Sequence, residues 1–534
     1  METQFLIPIY TSMTQLLADL GSTADHTARW NQLSDEFERR FGRKPSHIVR
    51  APGRVNLIGE HIDYALFGVL PSAIDRDILL ACAPRDSSGH PYGAVTALNL
   101  DQRYPPLSFS PIRNALVGSG LSENEADIAD VGDWHLDIDH KVLHWESYIK
   151  AGYYGVLKDF FSPETCCRYP VPVDLLVSGT VPAGSGLSSS AAMVVASTLG
   201  FLAVNNKLKG VTKRMVVEMA MENEKRVGVN SGGMDQAASV MSTPDSALYV
   251  TFYPNLAAYP AALPQGTLVL ANSCVTSEKA VHASTRYNLR VVETLAAARI
   301  LSRHLGIEVG PRDRLTLREV VGRFGGEPAD GWPQDSAELR VSLERIMEHI
   351  GELRPASAQV DGQEGVTLET MIEWSGLSDE DFKDVYLNWV NAEATHFQLY
   401  RRAKHVLSEA LRVLRYRDIC LANNGNVSDA VLWELGKLMN ESQTSCCVDY
   451  DCSCPELDEL TQICRDAGAY GSRLTGAGWG GFTVSLVAED KVSQFIEKLR
   501  RTYGPFTKLN DEEAAEVIFA TKPSTGACVY VVNE

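Results

Sequence analysis

Residues 173–204 read VDLLVSGTVPAGSGLSSSAAMVVASTLGFLAV, and the middle of this stretch decides how the rest is read. The front, VDLLVSGTV (173–181), has the apolar run of a buried strand, and the back, SSAAMVVASTLGFLAV (189–204), suits a helix packed on most sides. Between them lie Gly184, Ser185, Gly186 and Leu187, then Ser188, Ser189 and Ser190. Glycine lets a backbone approach a ligand closely, and serine supplies a hydroxyl or caps a helix start. A strand, a Gly/Ser loop and a helix N-terminus together make a site for anions, because free N–H groups and the helix dipole point outward there. The alternative is an ordinary tight turn with a serine cap. The loop lacks the G-x-x-x-x-G-K-S/T pattern, so it is not a Walker-type P-loop.

A chain of 534 residues is too long for one core, which implies two large domains or two plus insertions. Its 45% hydrophobic and 22% charged content is that of a soluble globular protein. The net charge of −19 argues against a nucleic-acid surface and against an anionic membrane face. METQFLIPIYTSM at the start has no basic region and no small-residue cleavage site, so export is not expected. The longest nearly apolar run, Ala191 to Val204, is too short and interrupted to span a bilayer. Eleven cysteines are few for a disulfide framework in so long a chain, and they fit a reducing, cytoplasmic setting. Five of them crowd into CCVDYDCSCPELDELTQIC (446–464) without C-x-x-C spacing or a nearby histidine, which favours free thiols in a loop over zinc. The sequons at Asn426 and Asn440 carry no weight without an export signal.

Working outward along the chain, residues 1–44 read as a helical lead-in, with apolar positions at helical spacing in ARWNQLSDEFERRFG. HIVRAPGRVNLIGEHIDY reads as a strand entering a glycine-containing turn, and VLPSAIDRDILLACAPR holds a second buried strand. DWHLDIDHKVLHWE (133–146) carries three histidines and four acids, but its period-two alternation suits a half-exposed strand better than a metal site. A helix begins near Trp145, and VTKRMVVEMAMENEKRVG (211–228) is an amphipathic helix ending at Gly228. NSGGMDQAASVM then gives a second glycine loop leading into a short helix, and ALYVTFYP and GTLVLANSCV read as strands. The boundary between an N-terminal lobe, 45–260, and a C-terminal lobe, 261–534, falls between these two strands. Residues 305–395 look like a helical, acidic insertion with Pro/Gly-rich breaks, including a helix capped at Ser378. RRAKHVLSEALRVL is a further helix, and GAYGSRLTGAGWGGFTVSLV sets a glycine cluster before a strand.

Three segments combine. GRVNLIGEHIDY (53–64) packs Arg54, Glu60, His61 and Asp63 into ten residues between strongly apolar flanks, so these charges converge on a cleft or are costly to hold. Carboxylates and a histidine in a cleft suit a polyol, whose adjacent hydroxyls they can bind. The Gly/Ser loop is the second segment. The third, LTGAGWGGF (474–482), has glycines that bring its backbone close to a phosphate or to the Gly/Ser loop.

The twelve-residue stretch GRVNLIGEHIDY closely resembles the sugar-binding signature of galactokinases. VPAGSGLSSSAA resembles the ATP loop, and GAGWGG the third motif, of the wider GHMP kinase superfamily, all in the family's order from about Pro45 to about Val531. Ile62 and the helical insertion resemble the fungal galactokinase branch, whose isoleucine-bearing motif is shared with N-acetylgalactosamine kinases. The resemblance implies a two-lobed α+β GHMP kinase fold, with an N-terminal ribosomal-protein-S5-domain-2-like lobe and a C-terminal ferredoxin-like lobe. It implies ATP-dependent phosphorylation of the C1 hydroxyl of α-D-galactose to galactose 1-phosphate, within galactose catabolism.

Residue by residue, the resemblance puts the nucleotide phosphates on Gly184 to Ser190, with Ser188 and Glu224 as Mg²⁺ ligands and Glu222 as a competitor for the latter role. GVNSGGMDQ resembles the catalytic segment, which makes Asp235 the base and Arg54 the arginine that keeps it ionised and stabilises charge on the transferring phosphoryl group. Glu60, His61, Asp63, the backbone of Gly232, and Tyr287 in TRYNLR match the sugar-contacting positions, with Arg54 and Asp235 beside them. A helix N-cap is the plain structural alternative for Asp235. Two other functions stay open: an N-acetylgalactosamine kinase with a roomier pocket at C2, and a galactose- and ATP-sensing inducer that binds a transcriptional repressor. The complete GSGLSSSAA loop and Asp235 favour a working kinase.

Overall fold

In the computed structural model, the apolar runs on either side of the first charged loop become long antiparallel partners, His47–Ile58 and Leu70–Pro84. The structure describes residues 6–21, 24–86, 88–113, 134–139, 144–162, 169–263, 266–277, 282–328, 335–355, 365–423 and 428–532. The two strands form the middle of a seven-stranded sheet. From edge to edge its order is Ile9–Tyr10, Cys528–Val531, His47–Ile58, Leu70–Pro84, Val173–Gly179, Val95–Asn99 and Leu107–Phe109. Alternation along the strands feeds two layers. Ile48, Leu79, Ala81 and Leu176 join Leu16, Trp30, Leu33 and Phe37 of the lead-in helices Met13–Asp19 and Ala24–Phe41 in one buried cluster. Val49, Leu80, Cys82, Leu175 and Val177 belong to the main core on the other face.

That second face carries Ser189–Val204, which packs directly on the two central strands and is buried from Ala191 to Val204. Trp145–Phe160, Lys213–Glu224 and Met234–Met241 complete the layer. Register between the central strands slips at Pro52/Arg54 and at Asn56/Ile58. Such irregularities re-aim side chains, and here one falls beside Arg54. At Gly53 a Cβ would lie 2.8 Å from the Leu187 carbonyl oxygen, so the strand meets the Gly/Ser loop with no room for a side chain.

A second sheet is antiparallel throughout, in the order Gly471–Leu474, Phe482–Val487, Thr267–Asn272 and Ile518–Thr521. Leu460 and Cys464 of the helix Pro455–Ala467 and Phe495 and Leu499 of Val492–Thr502 pack with Val269 and Ala271 over one face. Tyr287–His304, Leu399–Asn423 and Asp429–Val448 carry the core onward. Between 305 and 395 the regular elements among the described residues are all helical. They include Leu317–Phe324, Ser336–Ile346, Leu368–Ser375 and Asp379–Tyr386, the last capped by Ser378 Oγ accepting from Asp381 N at 3.1 Å. The chain's last strand, Cys528–Val531, does not stay with the residues after 261. It inserts into the first sheet between Ile9–Tyr10 and His47–Ile58.

Two sequence expectations need correction. The cysteine-rich stretch is not a loop: Cys446 and Cys447 end the helix Asp429–Val448, and Cys464 lies inside Pro455–Ala467. Only Cys452 and Cys454 lie between these helices, and all nine cysteines among the described residues are free thiols. In DWHLDIDHKVLHWE the strand is only Trp134–His135, paired with Ile112–Arg113, while Asp133 and residues 140–143, including His140, lie outside the described residues. So does the sequon Asn426. Among the described residues no cluster of three His, Cys, Asp or Glu side chains could hold a metal, and no helix is long and apolar enough to cross a membrane.

Candidate active site

The Gly/Ser loop is built from left-handed backbone that its glycines permit: Gly184 has φ +64° and Gly186 φ +83°. The third glycine segment supports it from behind. Phe482 N donates to Ser185 O at 3.0 Å, and a Cβ on Gly186 would come within 2.8 Å of Thr475 O. A Cβ on Gly476 would lie 2.3 Å from Gly186 O. Gly476 and Gly481 therefore serve the contact with the Gly/Ser loop, one of the two roles the sequence left open, while Gly478 and Gly480 lie against the Cys452 and Val275 carbonyls. Leu187 turns inward, fully buried, and its carbonyl accepts from Arg54 N at 3.1 Å.

In front of the loop lies a cleft of about 1320 Å³, lined by Gly184, Ser185, Gly186, Ser188, Ser189, Ser190, Glu224, Arg54 and Asp235. Ser188 occupies the position before the helix Ser189–Val204, yet its side chain makes no capping bond. Its backbone is left-handed, φ +59°, and its buried Oγ has no hydrogen-bond partner in the protein. Buried polar atoms are rarely left so. The serine-cap reading of Ser188 therefore fails, and the hydroxyl is available to a ligand of the cleft. Glu224, the last residue of Lys213–Glu224, is buried and accepts a hydrogen bond from Gln236 Nε2. Its competitor Glu222 is exposed and pairs with Lys225 at 3.3 Å, away from the cleft.

Asp235 lies in the first turn of the helix Met234–Met241, whose cap is Gly233 at φ +106°, so Asp235 is not the N-cap. Arg54 Nε and Nη2 both reach Asp235 Oδ1, at 2.8 and 2.7 Å, and Arg54 Nη1 donates to Gly186 O. The pair is buried, with side-chain exposures of 4% and 11%. One guanidinium thus joins the strand, the Gly/Ser loop and the second glycine loop.

Behind the pair is a smaller polar recess lined by Arg54, Glu60, His61, Asp63, Ser231, Met234, Asp235, Tyr287, Gly476 and Ala477. Asp63 Oδ2 accepts from Met234 N at 3.4 Å. Gly232 lies against this loop so tightly that a Cβ would sit 2.3 Å from Tyr64 N. His61, at φ +60°, contacts Ala477 O through Nε2 at 2.9 Å and Tyr64 Oη through Nδ1 at 3.1 Å. Both ring nitrogens have protein partners, so the ring is held firmly beside Tyr287, with ring centroids 5.3 Å apart. Glu60 Oε2 accepts from Arg473 Nη2 at 3.0 Å and from Asn56 Nδ2 at 3.2 Å. Burial pushes the Glu60 carboxyl up, against the opposing pull of Arg473 and Arg54.

The sequence reading missed Arg473 and Ser231. Arg473 stands one residue before the quoted LTGAGWGGF, and its burial at 0% exposure gave no local signal. Ser231 precedes Gly232, and its Oγ is buried without a protein partner on the wall of the recess.

Residues 35–84 match the family model for the galactokinase galactose-binding signature, 148–243 the GHMP kinases N-terminal domain, and 431–505 the GHMP kinases C-terminal domain. Among curated relatives, a galactokinase of Dictyostelium discoideum is 34% identical over 98% of this chain and 98% of its own. A galactokinase of Saccharomyces cerevisiae is 34% identical over 93% of each chain. The crystal structure of Lactococcus lactis galactokinase complexed with galactose superposes with a TM-score of 0.60 at 20% identity, over 93% of this chain and 99% of its own, and shares the fold.

Proposed function

This chain belongs to the galactokinases of the GHMP kinase family, and we propose that Asp235 takes or orients the proton of the galactose C1 hydroxyl as that oxygen accepts the γ-phosphoryl group of ATP. The products are galactose 1-phosphate and ADP. The observation that carries this reading is the Arg54–Asp235 pair, which lines both the Gly/Ser cleft and the polar recess. A phosphoryl donor in the cleft and an acceptor hydroxyl in the recess would meet at this pair.

Phosphoryl transfer needs positioning and charge neutralisation more than covalent chemistry. The start of Ser189–Val204 offers free N–H groups and the positive end of a helix to the phosphates. Arg54 orients the Asp235 carboxylate through two nitrogens and brings positive charge next to the transferring group. The partnerless hydroxyl of Ser188 and the carboxylate of Glu224 share the cleft and are oxygen donors of the kind Mg²⁺ takes together with substrate phosphates. They are the residues that would hold Mg²⁺, which supplies neutralisation of phosphate charge. Glu60, His61, Asp63, Gly232 and Tyr287 surround the sugar in this reading, with Glu60 and Asp63 reading its hydroxyls.

A coupled ADP-release assay tests the reading, with galactose and N-acetylgalactosamine side by side. Galactose is expected to give the higher kcat/KM. A preference for N-acetylgalactosamine, or no ADP release with either sugar, would overturn it.

A further inference from the structure

The loop that carries Glu60 and His61 is held from behind by a helix that never reaches the recess. On the buried face of Leu399–Asn423, His405 and Glu409 stand one turn apart, both fully buried, and neither lines the recess or the cleft. Glu409 Oε1 accepts from Gly59 N at 2.9 Å and from Glu60 N at 3.4 Å. His405 Nε2 lies 3.0 Å from Glu60 O. A carbonyl only accepts, so Nε2 carries the hydrogen, and Nδ1 of the neutral ring accepts from Ser445 Oγ at 2.9 Å. Burial supports this neutral form by pulling the His405 pKa down to about 4. Glu409 is itself fixed by Ser442 Oγ at 2.7 Å and Arg412 Nε at 2.6 Å.

Both polar ends of Glu60's backbone are therefore gripped by one helix. The loop needs such a grip: Gly59 and His61 have φ of +109° and +60°, a conformation with little preference of its own. Even the fit is close, since a Cβ on Gly59 would lie 3.0 Å from Val413 Cγ2 on the same helix.

We infer that His405 and Glu409 are positioning residues for sugar recognition, fixing the Gly59–His61 backbone so that Glu60 and His61 keep their places in the recess. The inference rests on the reading of that recess as the galactose site.

The test compares galactose KM, ATP KM and kcat for the full-length parent, His405→Leu, His405→Gln and Ser445→Ala. His405→Leu leaves Glu60 O buried without its donor, so galactose KM is expected to rise about tenfold. ATP KM is expected to stay within about twofold, because the Gly/Ser loop is untouched. His405→Gln keeps an N–H donor within reach of the same carbonyl and is expected to recover most of the loss. Ser445→Ala, the gentler change, is expected to raise galactose KM alone, by about threefold. A purely structural role would lower the active fraction and the melting temperature, leave both KM values alone, and show no glutamine rescue. Unchanged galactose KM in His405→Leu, or in Ser445→Ala if the leucine variant does not fold, overturns the inference, as does an equal rise in ATP KM. A parent that releases no ADP with galactose overturns the galactose reading and this inference together, whereas an active parent with insensitive variants overturns only the inference.

Discussion

Ser188 combines a left-handed backbone with a buried hydroxyl that no protein group meets. An unpaired buried hydroxyl contributes nothing to folding and costs desolvation. Ser188→Ala is therefore expected to leave the thermal midpoint unchanged or raise it. The same variant is expected to need about tenfold more Mg²⁺ for half-maximal rate, read from initial rates titrated with Mg²⁺ at saturating ATP. An unchanged Mg²⁺ dependence would put the metal on other ligands. Glu60 and Asp63 support a second expectation. If they accept hydrogen bonds from the axial 4-hydroxyl of galactose, glucose leaves a buried acceptor unpaired. Sites built this way reject the wrong sugar by about 10⁴-fold. Comparable kcat/KM values for glucose and galactose would remove these carboxylates from the role.

Elements explain why some of the site was legible in the chain and some was not. The Gly/Ser loop, the glycines of 474–482 and Gly232 could be read because close backbone approach demands glycine locally, whatever the distant partner is. The partners themselves were not legible. Arg473, His405 and Glu409 make contacts that only the folded chain creates, such as Arg473 reaching Glu60 across more than four hundred residues of sequence, and Ser231 comes to the recess wall only on folding. The cysteine-rich stretch misled because it spans one helix end and the next helix start, where composition resembles a loop. At Gly186, substitution by valine would add strain at φ +83° and push Cβ against Thr475 O at 2.8 Å. Gly186→Val is expected to weaken ATP binding by at least about tenfold while galactose binding changes less than about threefold, as separate calorimetric titrations would show. Unchanged ATP affinity in the folded variant would place the phosphates elsewhere.

The helix Leu399–Asn423 carries its own pH signature. Burial holds His405 neutral in the fold, lowering its pKa from 6.5 to about 4 with help from Arg412 and against the opposing pull of Glu409 and Asp449. The unfolded chain binds a proton that the folded chain refuses in this window, so stability is complete above pH 6.5 and falls as pH drops towards 4. The loss between pH 7 and pH 5 is expected to be about 2 kcal/mol, measured by urea unfolding. His405→Gln is expected to flatten that part of the profile, and an identical profile would contradict the assignment.

At the scale of the whole molecule, the helical run after 305 could be read from the chain's own pattern, and the α+β class from the family resemblance that the three motif segments carry. The path of the last strand could not. Cys528–Val531 crosses back to pair with His47–Ile58, a pairing that no local pattern announces. That strand and the buried Arg473–Glu60 pair join the C-terminal residues to the first sheet, while the buried Arg54–Asp235 pair lines both the cleft and the recess. Phosphoryl transfer at that pair is put to the test by Asp235→Asn. Asparagine is nearly isosteric, so the loop at 232–233 should persist, but it cannot take the C1 proton. Single-turnover phosphorylation is measured beside calorimetric binding of galactose and ATP. With Asp235 as the base, kcat is expected to fall by roughly 10²–10⁴-fold while both affinities change little. A kcat within about threefold of the parent, or a collapse of sugar binding with unimpaired chemistry on bound sugar, would contradict it.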